Sequence, residues 1–511
     1  MKSFFRLMCL MAAIVLPPAI AQGLPDLGES AQSDLTPLAE KRVGENIMRD
    51  IRLREPTYMD DPELNGYLNR LGGRLVAQAA EARQEFEFFA LKDSTLNAFA
   101  LPGGFVGVHS GLILAAQSES ELASVLAHEI SHVTQRHLAR LVGKQSQSQI
   151  GTLAALAIAI LAARSNPDVA LGAAVAGQAA GIQHQLNYSR DFEQEADRLG
   201  IQLLEKAGYD VRGMGSFFER LQRFGRLYEN NAPGYLRTHP LTTDRISDME
   251  NRIQQRPYRQ VADSLDFLLI RAKLRALEGT PQDAVQDFSH QVRERKFNSE
   301  AATRYGLAQA LMRAKNYPAA EKEVQELRRL RVTSPLLETL AAELRTRQND
   351  PAAAVAILSA ALARFPQERA ISYALTDNLL TAGRAAEALK VVNADLQDYP
   401  TDARSHALQA KAYAILGKRL QQHRAQAEAY YLQGQLLAAI EQLQFAQKAG
   451  EGGVVPIRPE NRPPLVAARR QMIPATGNLN AKGSDHARDA ARSETNCQMQ
   501  RSDPAQRAEK V

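Results

Sequence analysis

The sequence predicts a mainly α protein in two parts: a helical domain with a small β-sheet, then an α-solenoid of paired helices. Three observations predict it. The chain has 511 residues, too many for one compact core. Short apolar segments flank a Pro-Gly-Gly turn in the first quarter of the chain. Helical periodicity dominates from Ser118 onward, and a regular repeat appears in the second half.

The distribution of charge along the chain argues against nucleic-acid binding. The chain carries 62 Lys+Arg against 57 Asp+Glu, a net charge of +5. Residues 1–21 hold two bases and no acid, and residues 451–511 hold ten bases and seven acids. Residues 22–450 therefore carry 50 bases and 50 acids. Because this body has no net charge, the sequence gives no support to nucleic-acid binding.

The first element, residues 1–21, is typical of a secretory signal peptide. Lys2 and Arg6 precede or flank the apolar stretch Leu7–Leu16, and a small-x-small cleavage motif ends at Ala21. The apolar stretch is too short to span a bilayer. We therefore expect export, with cleavage near Ala21/Gln22.

Helices and a small sheet are expected next. Residues 36–82 show amphipathic helical spacing that is interrupted near Glu55-Pro56. Phe86–Leu91 has the composition of a strand, and Asn97–Val108 contains two apolar segments on either side of its Pro-Gly-Gly turn. These patterns predict helices on either side of the interruption, then a strand, then a hairpin or a bent edge strand.

Two further segments have unusual composition. Ile150–Ala163 and Val169–Ile182 are Ala-rich apolar runs, each shorter than the roughly 20 residues needed to cross a membrane. A buried helical hairpin is one interpretation, and a hairpin that contacts a membrane surface or another protein is the other. Residues 451–511 are rich in Gly, Pro and polar residues and predict a disordered tail.

An interval of 34 residues recurs in the second half. It separates three alanines, two glycines and two aromatic-proline pairs: Ala320, Ala354 and Ala388; Gly383 and Gly417; Phe365-Pro366 and Tyr399-Pro400. This period, with small residues at helix contacts, is the signature of tetratricopeptide repeats. We expect about four units between residues 265 and 450, stacked to form a concave groove.

The strongest local motif is His128-Glu129-Ile130-Ser131-His132. On a helix, positions i and i+4 share a face, so both imidazoles can reach one metal ion. Glu129 is adjacent and can take a proton from a metal-bound water. The motif therefore predicts a metal site with His128 and His132 as ligands.

A catalytic zinc site needs a third protein ligand and an open position for water. A third histidine at position 138, following a glycine at 135, is excluded because Leu138 and Gln135 stand there. His137 lies off the shared helix face and is expected to be an ordinary polar position. A second helix offers Glu193 and Asp197 at i and i+4, one as ligand and the other as acceptor for a ligand imidazole.

These motifs, in this order, resemble those of the HtpX-like and Ste-type zinc endopeptidases. The resemblance rests on His128–His132, on the Ser-Arg-x-x-Glu-x-x-Ala-Asp segment that ends at Asp197, and on Asn97–Gly104, and it spans roughly residues 36–450. It implies a helical zinc metalloprotease domain with one Zn²⁺ per chain. The implied ligands are His128, His132 and Glu193, and the implied catalytic residues are Glu129 as general base and Asp197 beside a ligand.

The resemblance extends to two flanking segments. Thr238-His239-Pro240 and Arg245 match the family's His-Pro segment, so His239 would either block the zinc or stabilise an oxyanion. The upstream segment would form a strand edge on which an extended substrate pairs. Its candidate substrate-binding residues are Asn97, Ala98, Phe99, Ala100, Pro102, Gly103 and Gly104.

A signal peptide and C-terminal repeats narrow the resemblance to periplasmic members of the family. It then implies a zinc endopeptidase that degrades misfolded or stalled outer-membrane proteins and assists their assembly, contacting the assembly machinery through its repeats. A chaperone or scaffold with a latent zinc site is the alternative, and peripheral membrane contact stays open. The expected segments are a signal peptide (1–21), a metalloprotease domain (22–260), a repeat domain (261–450) and a tail (451–511).

Overall fold

The computed structural model describes residues 36–80, 82, 84–142, 190–227 and 234–449. The expected signal peptide, both Ala-rich segments and the expected tail lie outside these residues. Within them the protein is mainly α, with one three-stranded sheet in its first part and a long series of helices in its second. The predicted fold class is therefore confirmed. No helix in the described ranges is both long and apolar enough to cross a membrane.

Two capped helices begin the described chain. They are α1 (Pro37–Arg54) and α2 (Pro62–Val76), and the break that the sequence predicts near Glu55-Pro56 falls between them. Each starts with proline, whose fixed φ suits the first helical position. Thr36 and Asp61 accept hydrogen bonds from main-chain N–H groups that the first turn leaves without partners.

The sheet consists of β1 (Glu87–Leu91), β2 (Ala98–Leu101) and β3 (Phe105–His109). Its order is β1-β3-β2, with β3 parallel to β1 and antiparallel to β2. The predicted hairpin is thus β2–β3, and its turn requires glycine: Gly103 and Gly104 have φ of 81° and 94°. A side chain at Gly104 would also collide with the main-chain oxygen of Glu85.

Within the described residues, seven helices follow the sheet in the first part. They are α3 (Ser110–Ala115), α4 (Glu119–Thr134), α5 (His137–Val142), α6 (Arg190–Ala207), α7 (Arg212–Leu227), α8 (Gly234–Thr238) and α9 (Thr243–Gln254). Helix α4 is central: every residue from Glu119 to His132 is buried, and α6, α7, α2 and β2 pack around it. A helix buried on all sides places its polar residues inside the core.

The second part is a stack of antiparallel helix pairs. The helices are α10 (Leu265–Ala276), α11 (Pro281–Glu294), α12 (Glu300–Arg313), α13 (Tyr317–Arg329), α14 (Pro335–Arg347), α15 (Pro351–Arg364), α16 (Arg369–Thr381), α17 (Ala385–Asp398), α18 (Ala403–Ile415), α19 (Arg419–Leu432) and α20 (Leu436–Ala449). Among the residues that the structure describes, they form five pairs followed by one single helix. The sequence predicts about four units, so the count was low.

The turns within the pairs share one backbone conformation but not one residue type. Gly383 and Gly417 follow the first helix of their pairs with φ of 74° and 68°. Lys315 and Asn349 occupy the same left-handed position in earlier pairs, with φ of 58° and 61°. The backbone repeats every 34 residues although glycine does not. The repeated alanines do carry the packing, since Ala320, Ala354 and Ala388 are fully buried.

Helix α2 lies against the first helices of several pairs. Lys273 of α10 contacts Asp61 and Glu63, each at 2.6 Å. Arg70 contacts Asp266, the second residue of α10, at 2.9 Å and Glu368, the N-cap of α16, at 2.8 Å. The side of the solenoid that these first helices form is therefore partly covered by the chain's own α2.

Candidate metal centre

Helix α4 supplies two histidines from one face. The Nε2 atoms of His128 and His132 lie 3.0 Å apart, and each residue is at most 2% exposed. Ser118 caps the helix by accepting from the N–H of Glu121. The regular i, i+4 geometry of a capped helix thus brings both rings to one point in the core.

Two more donors reach this point from elsewhere in the chain. Glu193 on α6 places its carboxylate oxygens 3.4 Å from Nε2 of His128 and 3.4 Å from Nε2 of His132. His239, directly after α8, has Nδ1 3.0 Å from Glu193 Oε1 and 3.4 Å from His128 Nε2. These four residues offer donor atoms within 4.8 Å of one another, and all four are buried.

The four donors fit a small divalent cation. A tetrahedral ion bound at about 2.1 Å places its donor atoms roughly 3.4 Å from one another. Five contacts among these donors are 3.0–3.4 Å, and all four donor atoms lie within 4.8 Å of one another. Nitrogen and carboxylate oxygen are donors that zinc takes. Glu193 Oε2 makes no hydrogen bond within the described residues, but it lies 2.8 Å from Arg245 Nη1 in a buried ion pair.

Asp197 and Arg245 form an ionic layer behind the donors. Asp197 Oδ1 lies 3.0 Å from His128 Nδ1, on the side away from the other donors, although not on an ideal hydrogen-bond line. Arg245 donates from Nε and Nη2 to Asp197 at 2.7 and 2.8 Å, and its Nη1 lies 2.8 Å from Glu193. Arg245 also donates to the carbonyl of Pro240 at 2.8 Å. One buried guanidinium therefore holds both carboxylates and the His239–Pro240 segment.

Glu129 lies between the donors and the sheet. Its Oε1 is 3.4 Å from His239 Nε2, and the nearby main-chain N–H of Ala100 acts to lower the pKa of its carboxyl group. Burial raises the pKa of its carboxyl group, an effect that the charges of His239 and His128 oppose. A carboxylate with a raised pKa is suited to taking up a proton during a reaction.

Charge is distributed unevenly among the donors. Burial lowers the pKa of His128, but the adjacent Asp197 and Glu193 outweigh burial and raise it to about 9. Burial holds the pKa of His132 well below its usual range. Burial also opposes ionisation of Glu193, yet the histidines around it bring its pKa well below that of a free glutamate. The pocket therefore favours a carboxylate among imidazoles, the charge pattern that a divalent cation requires.

Strand β2 presents one edge to Glu129. The N–H of His109 donates to the carbonyl of Asn97, which sets the alternation of the β2–β3 ladder. By that alternation, Phe99 and Leu101 direct their main-chain groups at β3, whereas Ala98 and Ala100 direct theirs outward. The influence of the Ala100 N–H on the pKa of Glu129 agrees with this direction, and no other described strand pairs with this edge.

The other predicted substrate-binding residues are placed differently. Asn97 is buried and its side-chain nitrogen lies 3.5 Å from Nε2 of His109. Phe99 packs edge-on against Phe89 and His109. Pro102 and Gly103 line a shallow cleft beside His132. Gly104 lies against Glu85, so the structure does not bring it to the cleft.

His137 is not an ordinary polar position. It is fully buried, and its Nδ1 lies 2.8 Å from Nδ1 of His132. Its Nε2 lies 3.1 Å from Glu195 on α6. The prediction for His137 assumed that the helix continues, but α4 ends at Thr134. Arg136 has a left-handed φ of 52°, and this turn brings His137 back toward His132. Two features of the sequence could have indicated this pair: a histidine five residues after His132, and Glu195 between Glu193 and Asp197.

Comparisons with known proteins agree with this geometry. A family model described as Peptidase family M48 matches residues 62–253, the part that holds the cluster and the sheet. A second model, described as Tetratricopeptide repeat, matches residues 346–412.

Named relatives cover between 36% and 83% of this chain. A protein of Yersinia pestis named Beta-barrel assembly-enhancing protease is 35% identical over 82% of this chain and 86% of its own. A protein of Escherichia coli (strain K12) with the same name is 35% identical over 83% and 87%. The Mitochondrial metalloendopeptidase OMA1 of Schizosaccharomyces pombe is 31% identical over 36% of this chain and 51% of its own.

Proposed function

This chain belongs to peptidase family M48 and to the beta-barrel assembly-enhancing proteases, and from that premise we propose a specific activity for it. It is a metalloendopeptidase; we propose that its metal is zinc and that it acts in the bacterial periplasm. There it degrades misfolded or stalled outer-membrane proteins and assists their assembly. The observation that carries the proposal is one arrangement: a four-donor cluster, a buried carboxylate at Glu129, and the outward edge of β2 beside it.

His128, His132 and Glu193 would hold the zinc. When bound, zinc acidifies a water molecule and polarises the scissile carbonyl. Glu129 accepts the proton of the attacking water and passes it to the leaving amine, a role that its raised pKa supports. Asp197 holds His128 from behind, and Arg245 balances the charge of both carboxylates.

The substrate would bind as an added strand on β2. Ala98 and Ala100 direct their main-chain groups away from β3, but Ala98 is fully buried, so an extended peptide would pair first at the partly exposed Ala100, beside Glu129. Backbone pairing of this kind tolerates many sequences. It therefore suits a protease whose clients share an unfolded state rather than a sequence.

His239 would regulate the site. It occupies the fourth position of the cluster and contacts Glu129, so in this conformation both the open metal position and the base are engaged. Arg245 connects the Pro240 carbonyl to Glu193 and Asp197, which ties the position of the His239 segment to the ligand carboxylates. His239 must move before a water molecule can take its place.

The repeats would position clients or the assembly machinery near the cluster, raising their effective concentration. Because α2 already covers part of the side formed by the first helices, such partners would use the remainder of the solenoid. We propose domain limits of 22–260 and 261–450, in agreement with the gap between α9 and α10. The composition of residues 1–21 supports export.

A chaperone or scaffold with a latent metal site is the second candidate. The contact of His239 with Glu129 favours it, because a blocked base describes a resting enzyme. In that case the repeats would provide the cellular function, and proteolysis would contribute little to it.

Glu129→Gln separates the two candidates. We expect the purified full chain to bind about one zinc, and the variant to bind the same amount while losing cleavage of an unfolded outer-membrane protein by roughly 10²–10⁴-fold. Bound metal is measured by elemental analysis and cleavage by gel. A variant that cleaves normally would contradict the enzymatic role, and one that supports every cellular function of the parent would favour the scaffold.

His239→Ala tests the regulatory role. Removing the imidazole opens the fourth position and releases Glu129, so cleavage of the same client should rise. Unchanged or lower cleavage, with zinc still bound, would contradict a blocking role for His239.

A further inference from the structure

The two ligand histidines of α4 are supported in different ways. His128 has the Asp197 carboxylate directly behind it, with 3.0 Å between Nδ1 and Oδ1. Behind His132 lies a second imidazole, His137, and a carboxylate comes only after it: His132 Nδ1 to His137 Nδ1 is 2.8 Å, and His137 Nε2 to Glu195 Oε2 is 3.1 Å. We propose that His137 and Glu195 are positioning residues that form a hydrogen-bonded relay to His132, setting its tautomer and ring orientation for the metal.

The proton positions of the relay follow from its geometry. His132 directs Nε2 at the cluster, where a metal ligand must offer a lone pair, so its proton stands on Nδ1. Two nitrogens 2.8 Å apart need one donor and one acceptor; His132 Nδ1 therefore donates and His137 Nδ1 accepts. The proton of His137 must then be on Nε2, the atom that faces the Glu195 carboxylate. Each bond determines the next.

The surroundings hold His137 in this orientation. Its ring stacks on Phe192 with centroids 4.5 Å apart and planes 9° from parallel. Arg140 lies over the same Phe192 ring at 4.5 Å and donates to Glu195 at 2.9 Å. The left-handed turn at Arg136 returns the chain so that His137 reaches His132. A strained turn, a stacked ring and an anchored carboxylate all act on one imidazole.

The relay has a chemical consequence for the metal. A hydrogen bond from Nδ1–H to an acceptor increases electron density at Nε2 and strengthens its bond to a cation. Through His137, the Glu195 carboxylate on α6 influences His132, while Glu195 also keeps its contact with Arg140. Loss of such an outer hydrogen bond weakens metal binding by about 10–100-fold.

The test measures metal affinity, and it rests on the proposed metal site. The zinc dissociation constant of the full-length protein is determined by competition with a chromophoric chelator, and the visible spectrum of the Co²⁺ form reports ligand geometry. For His137→Phe, whose ring can still stack on Phe192, we expect zinc to bind about 10–100-fold more weakly, with altered Co²⁺ bands. Zinc affinity within twofold of the parent, with an unaltered spectrum, would overturn the proposal.

Two further variants test the two hydrogen bonds of the relay separately. In His137→Asn the amide oxygen can replace Nδ1 as acceptor, so affinity should recover part of the loss, but not all, because the bond to Glu195 is absent. Full recovery would overturn the part assigned to Glu195. Glu195→Gln keeps an acceptor for His137 without its charge, so it should weaken zinc binding less than His137→Phe does; an equal loss would contradict the order of the relay. These variants also keep the proposal testable if His137→Phe fails to fold.

His423→Phe is the matched control. This histidine of the repeat part lies beside Phe445, with ring centroids 5.5 Å apart, and is remote in sequence from the cluster. Its replacement should leave the zinc dissociation constant and the Co²⁺ spectrum unchanged. If the parent protein itself binds no zinc, the proposed function fails; if the parent binds zinc and His137→Phe binds it equally well, only the relay fails.

Discussion

The metal centre and the repeat solenoid are built on opposite principles. The centre gathers buried polar groups from distant parts of the chain: His128 and His239, whose rings touch, are 111 residues apart. The solenoid buries alanines and leucines, and its helices pack chiefly against their neighbours in sequence. In the centre, each residue has a particular chemical partner. In the solenoid, the size of each buried side chain matters, because it must fill the space between neighbouring helices.

This difference decides what a substitution costs. Removing one member of a buried ionic group leaves another charge without a partner, which is expensive in a low-dielectric interior. Changing the volume of a buried methyl disturbs only the local contacts between helices. We therefore expect large effects at the centre, intermediate effects where the two parts meet, and smaller ones within the repeats.

The largest expected effect is at Arg245. Arg245→Met removes the guanidinium that holds Asp197 and Glu193, and in the metal-free protein it should lower the free energy of unfolding by about 3–5 kcal/mol. Urea denaturation in the presence of a chelator measures this. Arg252→Met, which breaks an exposed pair with Asp248, is the control and should cost less than about 1 kcal/mol. Equal losses would show that the centre is no more sensitive than the surface.

The second effect lies where the two parts meet. Lys273→Met leaves Asp61 and Glu63 near each other without a cation and should lower the free energy of unfolding by about 2–3 kcal/mol. Calorimetry should also separate the unfolding of the peptidase part from that of the repeats. Lys411→Met removes an exposed partner of Asp377 and should change little. A single unaltered transition for Lys273→Met would mean that other contacts join the two parts.

The third effect lies within the repeats. Ala354 is fully buried between helices, so Ala354→Leu should lower the free energy of unfolding by about 1.5 kcal/mol through overpacking. Ala356→Leu, on the exposed side of the same helix, should be nearly neutral. Zinc affinity should be unchanged in both. A large loss of zinc binding on Ala354→Leu would contradict the expectation that substitutions in the repeats act only locally.

The smallest effect is a gain in stability. Lys315 holds a left-handed φ of 58° where later pairs have glycine. Lys315→Gly should raise the free energy of unfolding by about 0.5 kcal/mol, since glycine adopts this conformation without strain but also loses more entropy on folding. Asn349→Gly should gain less, because asparagine tolerates the left-handed region. Thermal denaturation checks both, and a fall in stability for Lys315→Gly would contradict the argument.

Much of the candidate site follows from local spacing in the sequence. His128 and His132 are one helical turn apart, and Glu193 and Asp197 likewise, so each pair shares a face on any regular helix. The hairpin is similarly local, because Gly103 and Gly104 permit the turn that pairs β2 with β3. Patterns of this kind need only short stretches of chain, and a sequence displays them directly.

His137 shows where local spacing is insufficient. Five residues beyond His132 on a continuous helix it would point elsewhere, and only the turn at Arg136 returns it to the centre. Its second partner, Glu195, is 58 residues away. Likewise, nothing local indicates that α2 would cover the first helices of the repeats, because those ion pairs join residues up to 298 positions apart.

The sequence by itself determined the fold class, the two histidines of α4, the acidic pair of α6 and the repeating unit, because helical and strand periodicity and turn chemistry are local properties. The family resemblance already placed His239 at the metal; the tertiary structure alone decided that Arg245 joins the two carboxylates and that His137 lies against His132. These contacts depend on how separate helices pack. Packing depends on the whole core, and no short pattern in the chain encodes it.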